Sequence, residues 1–381
     1  MLNFNRENTG LFAKWWRNVD KQILFLFIFL LLLGLFFSFS STTTVMSDKM
    51  NKETYFFFIK HLVFVSISLF LLFAISIQDK DKLIKFLTFL FFLSVILLFL
   101  TLFIGVEVKG SRRWMSFDPL PRFQPIELVK PLFIIFVAKI IVSKEKVNIY
   151  RKYLNSFLVL FFIVIILVNQ PDLGQTLLLI SAWFTMIFAS GFNMIILSIL
   201  SLIFLSIIGF LIFFLPDKFG YIFFRIKTFI DPKSGDNFQS QKALDAIKQG
   251  GLTGQGMGEG ILKHQVPEAH TDYIIAVISE EFGAIFVLLI VILFLLIAYK
   301  VLNKVFSRND EFLKLVLVGL VSLLIIQTFI HIGVNSRILP TTGMTLPFLS
   351  YGGSSLIGSS IVAGIILNFT RKDSTRYFKN E

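Results

Sequence analysis

The chain contains no cysteine in 381 residues, which excludes disulfide bonds, thiolate catalysis and cysteine-ligated metal sites. Charge is also scarce, because Asp, Glu, Lys and Arg make up 16% of the residues, whereas soluble domains carry about 25%. Hydrophobic residues make up 55% of the chain and include 48 phenylalanines. A soluble domain of this length could not bury so much apolar surface, so the composition predicts a membrane protein.

Apolar runs of about 20 residues, the length that crosses a hydrocarbon core of about 30 Å, recur along the chain. They predict one integral-membrane domain over residues 1–381, an all-α polytopic fold with about ten transmembrane helices. The first run is long for a signal peptide and lacks a convincing small-residue cleavage site, so we interpret it as an uncleaved span. The predicted spans are 23–40, 55–77, 84–104, 126–142, 153–169, 173–190, 193–215, 273–299, 312–336 and 354–370.

The net charge of +12 is explained by topology, and no nucleic-acid partner is expected. Most basic residues lie in short segments that alternate to one side of the predicted membrane, namely 1–22, 80–85, 144–152, 300–314 and 371–381. The positive-inside rule places these segments, and therefore both termini, in the cytoplasm. The opposite face receives segments 105–125, 216–272 and 337–353. The second is too long for a simple connection and is predicted to be a large extracytoplasmic loop.

The first outer segment, "VKGSRRWMSFDPLPRFQPIELVKP", contains Lys109, Arg112, Arg113, Trp114 and Arg122. Several cations beside a tryptophan at headgroup depth suit an anionic group such as a lipid phosphate. Anchoring at the membrane interface is an equally open interpretation, since Trp and Arg both favour that zone.

Two ionisable residues, Glu127 and Lys130, lie inside the predicted fourth span. Their spacing of three places them on one helix face, where they can pair. A charge at the centre of a span costs about 2.5–3.5 kcal/mol on insertion scales and therefore faces a cavity or a partner. We expect a structural ion pair that lines the same cavity as the outer segments. Asp172, in "NQPDLGQT", is expected to cap the sixth span.

The stretch "VPEAHTDYIIAVISEEFG", residues 266–283, places Glu268, His270 and Asp272 at the edge of the eighth span, with Glu280 and Glu281 inside it. In a helix that starts at Asp272, Glu280 lies about 80° and Glu281 about 180° round the axis. At least one of the two glutamates should therefore support neighbouring helices. Asp272 combines access from outside with partial desolvation, conditions that raise a carboxylate pKa toward that of a general base. His270 is either a rival base or a group that orients its neighbour.

Two glycine-rich segments complete the pattern. "GGLTGQGMGEG", residues 250–260, has neither the strand context nor the lysine-hydroxyl ending of a nucleotide loop, so it predicts a flexible or backbone-exposing loop. "RILPTTGMTLPFLSYGGSS", residues 337–355, lies between two apolar runs. Non-helical backbone at membrane depth must be buried in protein or line a watery cavity. A tight structural turn and a substrate-lining role therefore both stay open.

Four segments, in this order, resemble the SEDS family (shape, elongation, division and sporulation), whose members include FtsW and RodA. They are "GSRRWMSFDPLPRFQPIELVKP", "NQPDLGQT", "PEAHTDYIIAVISEEFG" and "LPTTGMTLPFLSYGGSS". The likeness extends over nearly the whole chain and is closer to the cell-division branch. It implies a peptidoglycan glycosyltransferase that polymerises lipid II at the outer face of the bacterial cytoplasmic membrane, in septal wall synthesis.

The resemblance also implies roles for particular residues. Asp272 would take the proton from the 4-hydroxyl of the acceptor GlcNAc, and undecaprenyl pyrophosphate would leave the donor. Arg112 and Arg113 are candidates for stabilising the leaving pyrophosphate, and a divalent cation (Mg²⁺ or Mn²⁺) is another, although the sequence requires no cofactor. The implied partners are a class B penicillin-binding protein transpeptidase and other division proteins. The further substrate-binding candidates are Trp114, Gln124, Glu127, Lys130, Asp172, Glu268, His270, Thr271, Ser350, Tyr351, Gly352, Gly353 and Ser354.

Three positions depart from the family pattern: Ile126 replaces a serine, Thr342 a lysine and His331 an asparagine. The lost lysine removes a positive charge from the outer face, and Arg337 is the candidate that compensates for it.

Two other functions stay open. A lipid II flippase predicts ionisable groups reachable from both faces, whereas here they cluster on the outer side. A scaffold that recruits a transpeptidase predicts that Asp272→Ala leaves function intact.

Overall fold

The computed structural model describes residues 10–42, 55–108, 110–117, 121–143, 148–193, 195–199, 216–231, 237–306 and 309–372, with positions 202, 206, 209 and 214. Lys109 and the tail 373–381 lie outside the described residues. The helices are α1 (Leu11–Asn18), α2 (Lys21–Thr42), α3 (Phe56–Ile77), α4 (Lys80–Ile104), α5 (Ile126–Ile141), α6 (Ile149–Asn169), α7 (Leu173–Ala189), α8 (Pro216–Ile230), α9 (Phe238–Gly250), α10 (Ile274–Phe306), α11 (Glu311–Asn335) and α12 (Gly353–Thr370).

The predicted all-α membrane fold is confirmed in class. Within the described residues, seven helices are long and apolar enough to cross a membrane: α2, α3, α4, α6, α10, α11 and α12. Helices α5 and α7 coincide with predicted spans but are shorter, at 16 and 17 residues. The predicted span 193–215 falls largely outside the described residues, so the count of ten stays a prediction.

Apolar side chains cover the outside of the bundle as well as its core. Phe70 and Phe89 are 70% and 67% exposed, an arrangement that suits contact with lipid chains. Side-chain caps begin several helices, since Asp79, Asn148 and Asp310 accept hydrogen bonds from the first main-chain amides of α4, α6 and α11. Such caps satisfy amides that have no partner within the helix.

Helices α5 and α12 lie in the interior of the bundle, where 11 of the 16 residues of α5 and 16 of the 18 residues of α12 are buried. Helix α12 packs against α3 and α5. Gly358 permits the approach to α5, because a Cβ atom there would lie 2.6 Å from the main-chain oxygen of Glu127. Since both helices are enclosed by protein, their polar groups do not face lipid.

Helix α10 is interrupted at Gly283, which adopts φ 80° and ψ 175°. Without the break, its 33 residues would extend about 50 Å, well beyond a hydrocarbon core of about 30 Å. The part after Gly283 is long enough to cross the membrane alone. The short first part, residues 274–282, lies beside the outer segments instead.

Two of the three segments predicted to lie outside are more ordered than the sequence indicated. Residues 105–125 contain an antiparallel hairpin of β1 (Val106–Val108) and β2 (Ser111–Trp114). Residues 216–272 contain α8, α9 and a 3₁₀ turn at Leu262–His264. The predicted eighth span, 273–299, starts one residue before α10, which begins at Ile274, and Asp272 lies in the preceding turn.

Candidate active site

The ends of several helices converge on a cavity of about 840 Å³. The wall is formed by the starts of α3, α5, α7, α9 and α12, the end of α11, Arg225 on α8, the turn before α10 and the β1–β2 hairpin. Its charged lining comprises Lys60, Arg113, Arg122, Arg225, Glu127, Glu268 and Asp272. Among the described residues, the cavity therefore gathers cations and carboxylates at one end of a largely apolar bundle.

Most of the sequence-predicted site residues line this cavity: Arg113, Trp114, Gln124, Glu127, Glu268, Thr271, Asp272, Tyr351, Gly352, Gly353 and Ser354. Five predicted residues are not part of the lining: Arg112, Lys130, Asp172, His270 and Ser350. Four of these five support lining residues from behind, and Arg112 points away from the cavity.

The two neighbouring arginines of the hairpin have different environments because successive side chains of a strand point to opposite faces. Arg112 forms an exposed ion pair with Glu107, at 3.4 Å between Nε and Oε2. Arg113 points inward and donates to the main-chain oxygens of Gln170 (3.2 Å) and Pro171 (2.7 Å). The hairpin therefore presents one arginine to the cavity, and the prediction that both arginines lie there is corrected.

Asp172 caps α7, as expected from its position, and it is 2% exposed. Its carboxylate accepts from the Gln175 amide at 3.3 Å and lies 3.5 Å from an Arg113 guanidinium nitrogen. Burial raises the pKa of Asp172, and the positive charge of Arg113 opposes that rise. Gln124 also donates to this carboxylate, at 3.4 Å. Asp172 thus orients two lining side chains, Arg113 and Gln124.

The expected pair of Glu127 and Lys130 is present, with 2.8 Å between Oε2 and Nζ. Gln175 donates to the other carboxylate oxygen of Glu127 at 3.0 Å, and Lys130 donates to Gln327 at 3.2 Å. Gln327 in turn donates to the main-chain oxygen of Thr345 at 2.9 Å. This network joins α5, α7 and α11 to the segment 337–353 and forms the floor of the cavity.

Main-chain hydrogen bonds from three directions hold the segment that carries Asp272. Asn335 donates to the Asp272 oxygen at 3.0 Å. Ser350 donates to the Thr271 oxygen at 2.7 Å, and the Tyr351 amide donates to the His270 oxygen at 2.9 Å. These bonds use main-chain oxygens and hold Asp272 in the wall of the cavity.

The residues that flank Asp272 are buried more deeply than Asp272 itself. His270 is packed between the rings of Phe57 and Tyr351, with centroids 5.7 and 5.5 Å away. Burial lowers the pKa of His270, against the opposing effect of Glu268. Burial and the Asp272 charge raise the pKa of Tyr273. A neutral, enclosed His270 supports the orienting alternative better than that of a rival base.

The segment 337–353 provides open space next to Asp272. Gly343 has φ 68°, and a Cβ atom there would lie 3.5 Å from Oδ2 of Asp272. Only glycine adopts this backbone region readily, and its missing side chain keeps the approach to the carboxylate clear. The segment therefore has both a structural and a lining role, the two alternatives that the sequence left open.

Arg225 is a cavity residue that sequence reasoning missed. It lies on α8 and donates to the Thr341 oxygen at 3.2 Å, next to Thr342 in the wall. Arg337, the candidate to replace the missing lysine, instead donates to Gln241 on α9 at 2.9 Å and is not in the lining. A helical pattern in residues 216–230, with Arg225 on its polar face, was the available signal.

The other two departures from the family pattern lie in the protein interior. Ile126 is fully buried at the start of α5, so an apolar side chain suits this position. His331 is 1% exposed, and its Nδ1 lies 3.5 Å from the Asn335 amide nitrogen. It therefore packs behind the residue that holds the Asp272 main chain.

Known proteins are similar to this chain over most of its length. The family model for FtsW, RodA and SpoVE, described as "Cell cycle protein", matches residues 21–375. A probable peptidoglycan glycosyltransferase FtsW of Caulobacter vibrioides is 32% identical over 375 residues, covering 98% of this chain and 95% of that protein. Stage V sporulation protein E of Bacillus subtilis is 32% identical over 334 residues, covering 86% and 91%.

Two solved structures have a similar fold. One is a chain of a peptidoglycan synthase complex, solved in work on the coordination of polymerization and crosslinking. It superimposes with a TM-score of 0.76 at 25% identity and covers 92% of this chain and 97% of that one. The other is the rod shape determining protein RodA of Thermus thermophilus, with a TM-score of 0.68 at 24% identity, covering 92% and 96%.

Proposed function

The chain belongs to the FtsW/RodA/SpoVE family of cell cycle proteins, and from this premise we propose that it is a peptidoglycan glycosyltransferase that polymerises lipid II into glycan strands. The relatives named FtsW indicate a role in septal wall synthesis during cell division. The chain is a multi-pass membrane protein, and we place it in the bacterial cytoplasmic membrane with both termini inside.

One observation carries the proposal for the site: the Asp272 carboxylate shares a single cavity with Arg113, Arg122, Arg225 and Lys60. A glycosyl transfer from a polyprenyl pyrophosphate needs a base for the attacking hydroxyl and positive charge for the leaving group. Guanidinium groups are well suited to phosphate oxygens, because they offer paired donors and a permanent charge. The cavity supplies both requirements at one end of the bundle.

In the proposed reaction, Asp272 removes the proton from the 4-hydroxyl of the acceptor GlcNAc. That oxygen forms a bond to C1 of the donor MurNAc with inversion, while the bond from C1 to the pyrophosphate oxygen breaks. Undecaprenyl pyrophosphate leaves with the bonding electron pair, next to Arg113 and Arg225. A positioned base contributes about 10²- to 10⁴-fold to such a step, and the cations stabilise charge that develops on the leaving group.

A divalent cation at this site is a separate proposal. Among the described residues, no group of three or more His, Asp or Glu side chains is placed to hold a metal ion. Mg²⁺ commonly binds through one or two carboxylates together with substrate phosphates. Glu268 and Asp272 in the cavity wall fit that mode, in which the ion binds with the pyrophosphate.

We propose a class B penicillin-binding protein as partner, since the similar synthase complex couples polymerization to crosslinking.

The test is polymerisation of labelled lipid II by the purified chain with its transpeptidase partner, with glycan products resolved on a gel. Asp272→Asn preserves size and hydrogen-bonding capacity but removes the base, so we expect polymer to fall at least 100-fold while the variant stays folded. Glu107→Gln, an exposed change on the hairpin, is the matched control and should retain wild-type activity. Equal polymer from wild type and Asp272→Asn would contradict the base assignment. No polymer from wild type would favour a flippase or a scaffold.

A further inference from the structure

The glycine-rich segment 250–260 and the two glutamates of α10 have no role in the proposed chemistry, but the structure joins them. Where α10 breaks at Gly283, the amides of Ala284 and Ile285 would bond, in a continuous helix, to the oxygens of Glu280 and Glu281. Instead they donate to the oxygens of Gly251 (2.9 Å) and Leu252 (3.3 Å). The break therefore replaces two hydrogen bonds within the helix by two hydrogen bonds to residues 251–252.

The oxygens released by the break are satisfied in the same way. The Gln255 amide donates to the Glu280 oxygen at 2.8 Å, and the Gly256 amide donates to the Glu281 oxygen at 3.0 Å. Unsatisfied main-chain groups at membrane depth are strongly unfavourable, so segment 251–256 is what permits the break. The glycines allow the close contact, because a Cβ atom on Gly254 would lie 2.2 Å from the Glu281 oxygen.

The side chains of the two glutamates bind the next part of the same segment. Glu280 accepts from the amides of Leu262 (2.7 Å) and Lys263 (2.6 Å). Glu281 forms a buried ion pair with the Lys263 ammonium group and accepts from the hydroxyl of Ser40 at the end of α2. Both glutamates are at most 1% exposed. Neither glutamate lines the cavity. Both therefore have a structural role, whereas the sequence predicted that at least one of them would.

These contacts close a loop with Asp272 near its middle, because Asp272 lies nine residues after Lys263 and eight before Glu280. We infer that Lys263, Glu280, Glu281 and segment 250–260 form a clamp that fixes Asp272 for the reaction, and that Glu281 is a positioning residue. The inference rests on the proposed function. A base must be held close to its reacting geometry, and displacement by about 1 Å can cost about 100-fold in rate.

The test compares Glu281→Gln with wild type by two measurements on the purified full chain with its transpeptidase partner. Hydrogen–deuterium exchange of the peptide spanning residues 262–276 reports the clamp without any need for activity. Steady-state lipid II polymerisation gives kcat and KM. We expect faster exchange in this peptide and a kcat lower by about 10- to 100-fold with unchanged KM. Glu311→Gln, in an exposed pair with Lys314, is the control and should change neither measurement.

The outcomes separate the clamp from the proposed function. Unchanged exchange in Glu281→Gln would overturn the clamp, and faster exchange with wild-type kcat would overturn the positioning role. If wild type makes no polymer, the proposed function fails and with it the positioning role, while the exchange data still decide whether the clamp exists. If Glu281→Gln does not fold, the double variant Lys263→Met/Glu281→Gln leaves no unpaired buried charge. Wild-type exchange or wild-type kcat in the folded double variant would overturn the inference.

Discussion

The side-chain amide of Asn335 donates a hydrogen bond of 3.0 Å to the main-chain oxygen of Asp272 and accepts one of 3.2 Å from the amide of Ala276. One fully buried side chain at the end of α11 thus spans the turn from the proposed base to the first turn of α10. This contact fixes the main chain on the C-terminal side of Asp272, while the Lys263–Glu280 contacts fix its other flank.

Asn335→Leu should lower both stability and turnover. The substitution is close in volume but removes the buried donor to the Asp272 oxygen, which costs about 1–3 kcal/mol, while the Ala276 amide keeps its bond to the Tyr273 oxygen. We expect a lower melting temperature and a reduced kcat, because the Asp272 main chain loses one of its supports. Ser336→Ala is the neighbouring control, since Ser336 bonds only within its own helix to the Ile332 oxygen. If both variants lose the same activity, general damage to α11 explains the result and the specific role of Asn335 is wrong.

The hairpin offers a direct comparison of two adjacent arginines. Arg113→Gln removes a charge from the cavity, and charged hydrogen bonds contribute about 1.5–3 kcal/mol, which corresponds to about a 10- to 150-fold loss of kcat/KM. Arg112→Gln removes an exposed charge, with its side chain 54% accessible, and should leave kcat/KM unchanged. Melting temperatures of both variants control for the contacts of Arg113 with Gln170 and Pro171. Equal losses would indicate that the hairpin attracts anionic substrate by general charge, with no particular guanidinium site.

These arginines illustrate how far the sequence alone predicted the site. The motifs indicated a cavity with a carboxylate and cations, and the described residues form one, since ionisable residues beside apolar spans have few other places to lie; that it faces outward stays a prediction. Arg112 and Arg113 were treated as equal candidates because the hairpin was not predicted, and only the alternation of side chains along a strand separates the two. The pair of Glu127 and Lys130 was easier to predict, because helical spacing alone brings the two side chains together.

The long outer segment was harder to interpret than the spans. Residues 216–230 follow an apolar run and were taken as loop, so Arg225 on α8 was missed. The break in α10 was not predicted, because the apolar runs 273–278 and 284–299 on either side of residues 279–283 were interpreted as one span. What determines the break is a set of main-chain hydrogen bonds from segment 251–256, and such long-range pairing leaves no periodic signal in either segment.

Arg225 supplies the charge that Thr342 lacks, and this relationship can be tested by exchange. Arg225→Gln should raise KM for lipid II, because the cavity loses a cation near Thr341 and Thr342. Thr342→Lys introduces the lysine usual in the family into the same wall, so the double variant should recover part of the lost affinity. The measurement is kcat and KM for the two single variants and the double variant. A double variant no better than Arg225→Gln would show that the two positions do not serve the same group.

His270 should make the stability of the protein depend on pH. Burial lowers its folded-state pKa below the value of about 6.5 expected in the unfolded chain, so the unfolded state binds the proton more readily. The contribution of His270 to stability is therefore fully present above about pH 6.5 and is lost as the pH falls through its lowered folded pKa. Glu268 opposes this effect, and His61, Phe57 and Tyr351 pack around the ring.

The check is the melting temperature of wild type and His270→Gln between pH 7.5 and 5.5. Wild type should lose stability on acidification more steeply than the variant, because only wild type can take up a proton at this site on unfolding. Other titrating groups are common to both proteins, and the electrostatic interaction of His61 with His270 is controlled by repeating the comparison with His61→Gln in both proteins. Parallel curves would mean that the pKa of His270 is the same in the folded and unfolded states, which would contradict the effect of burial.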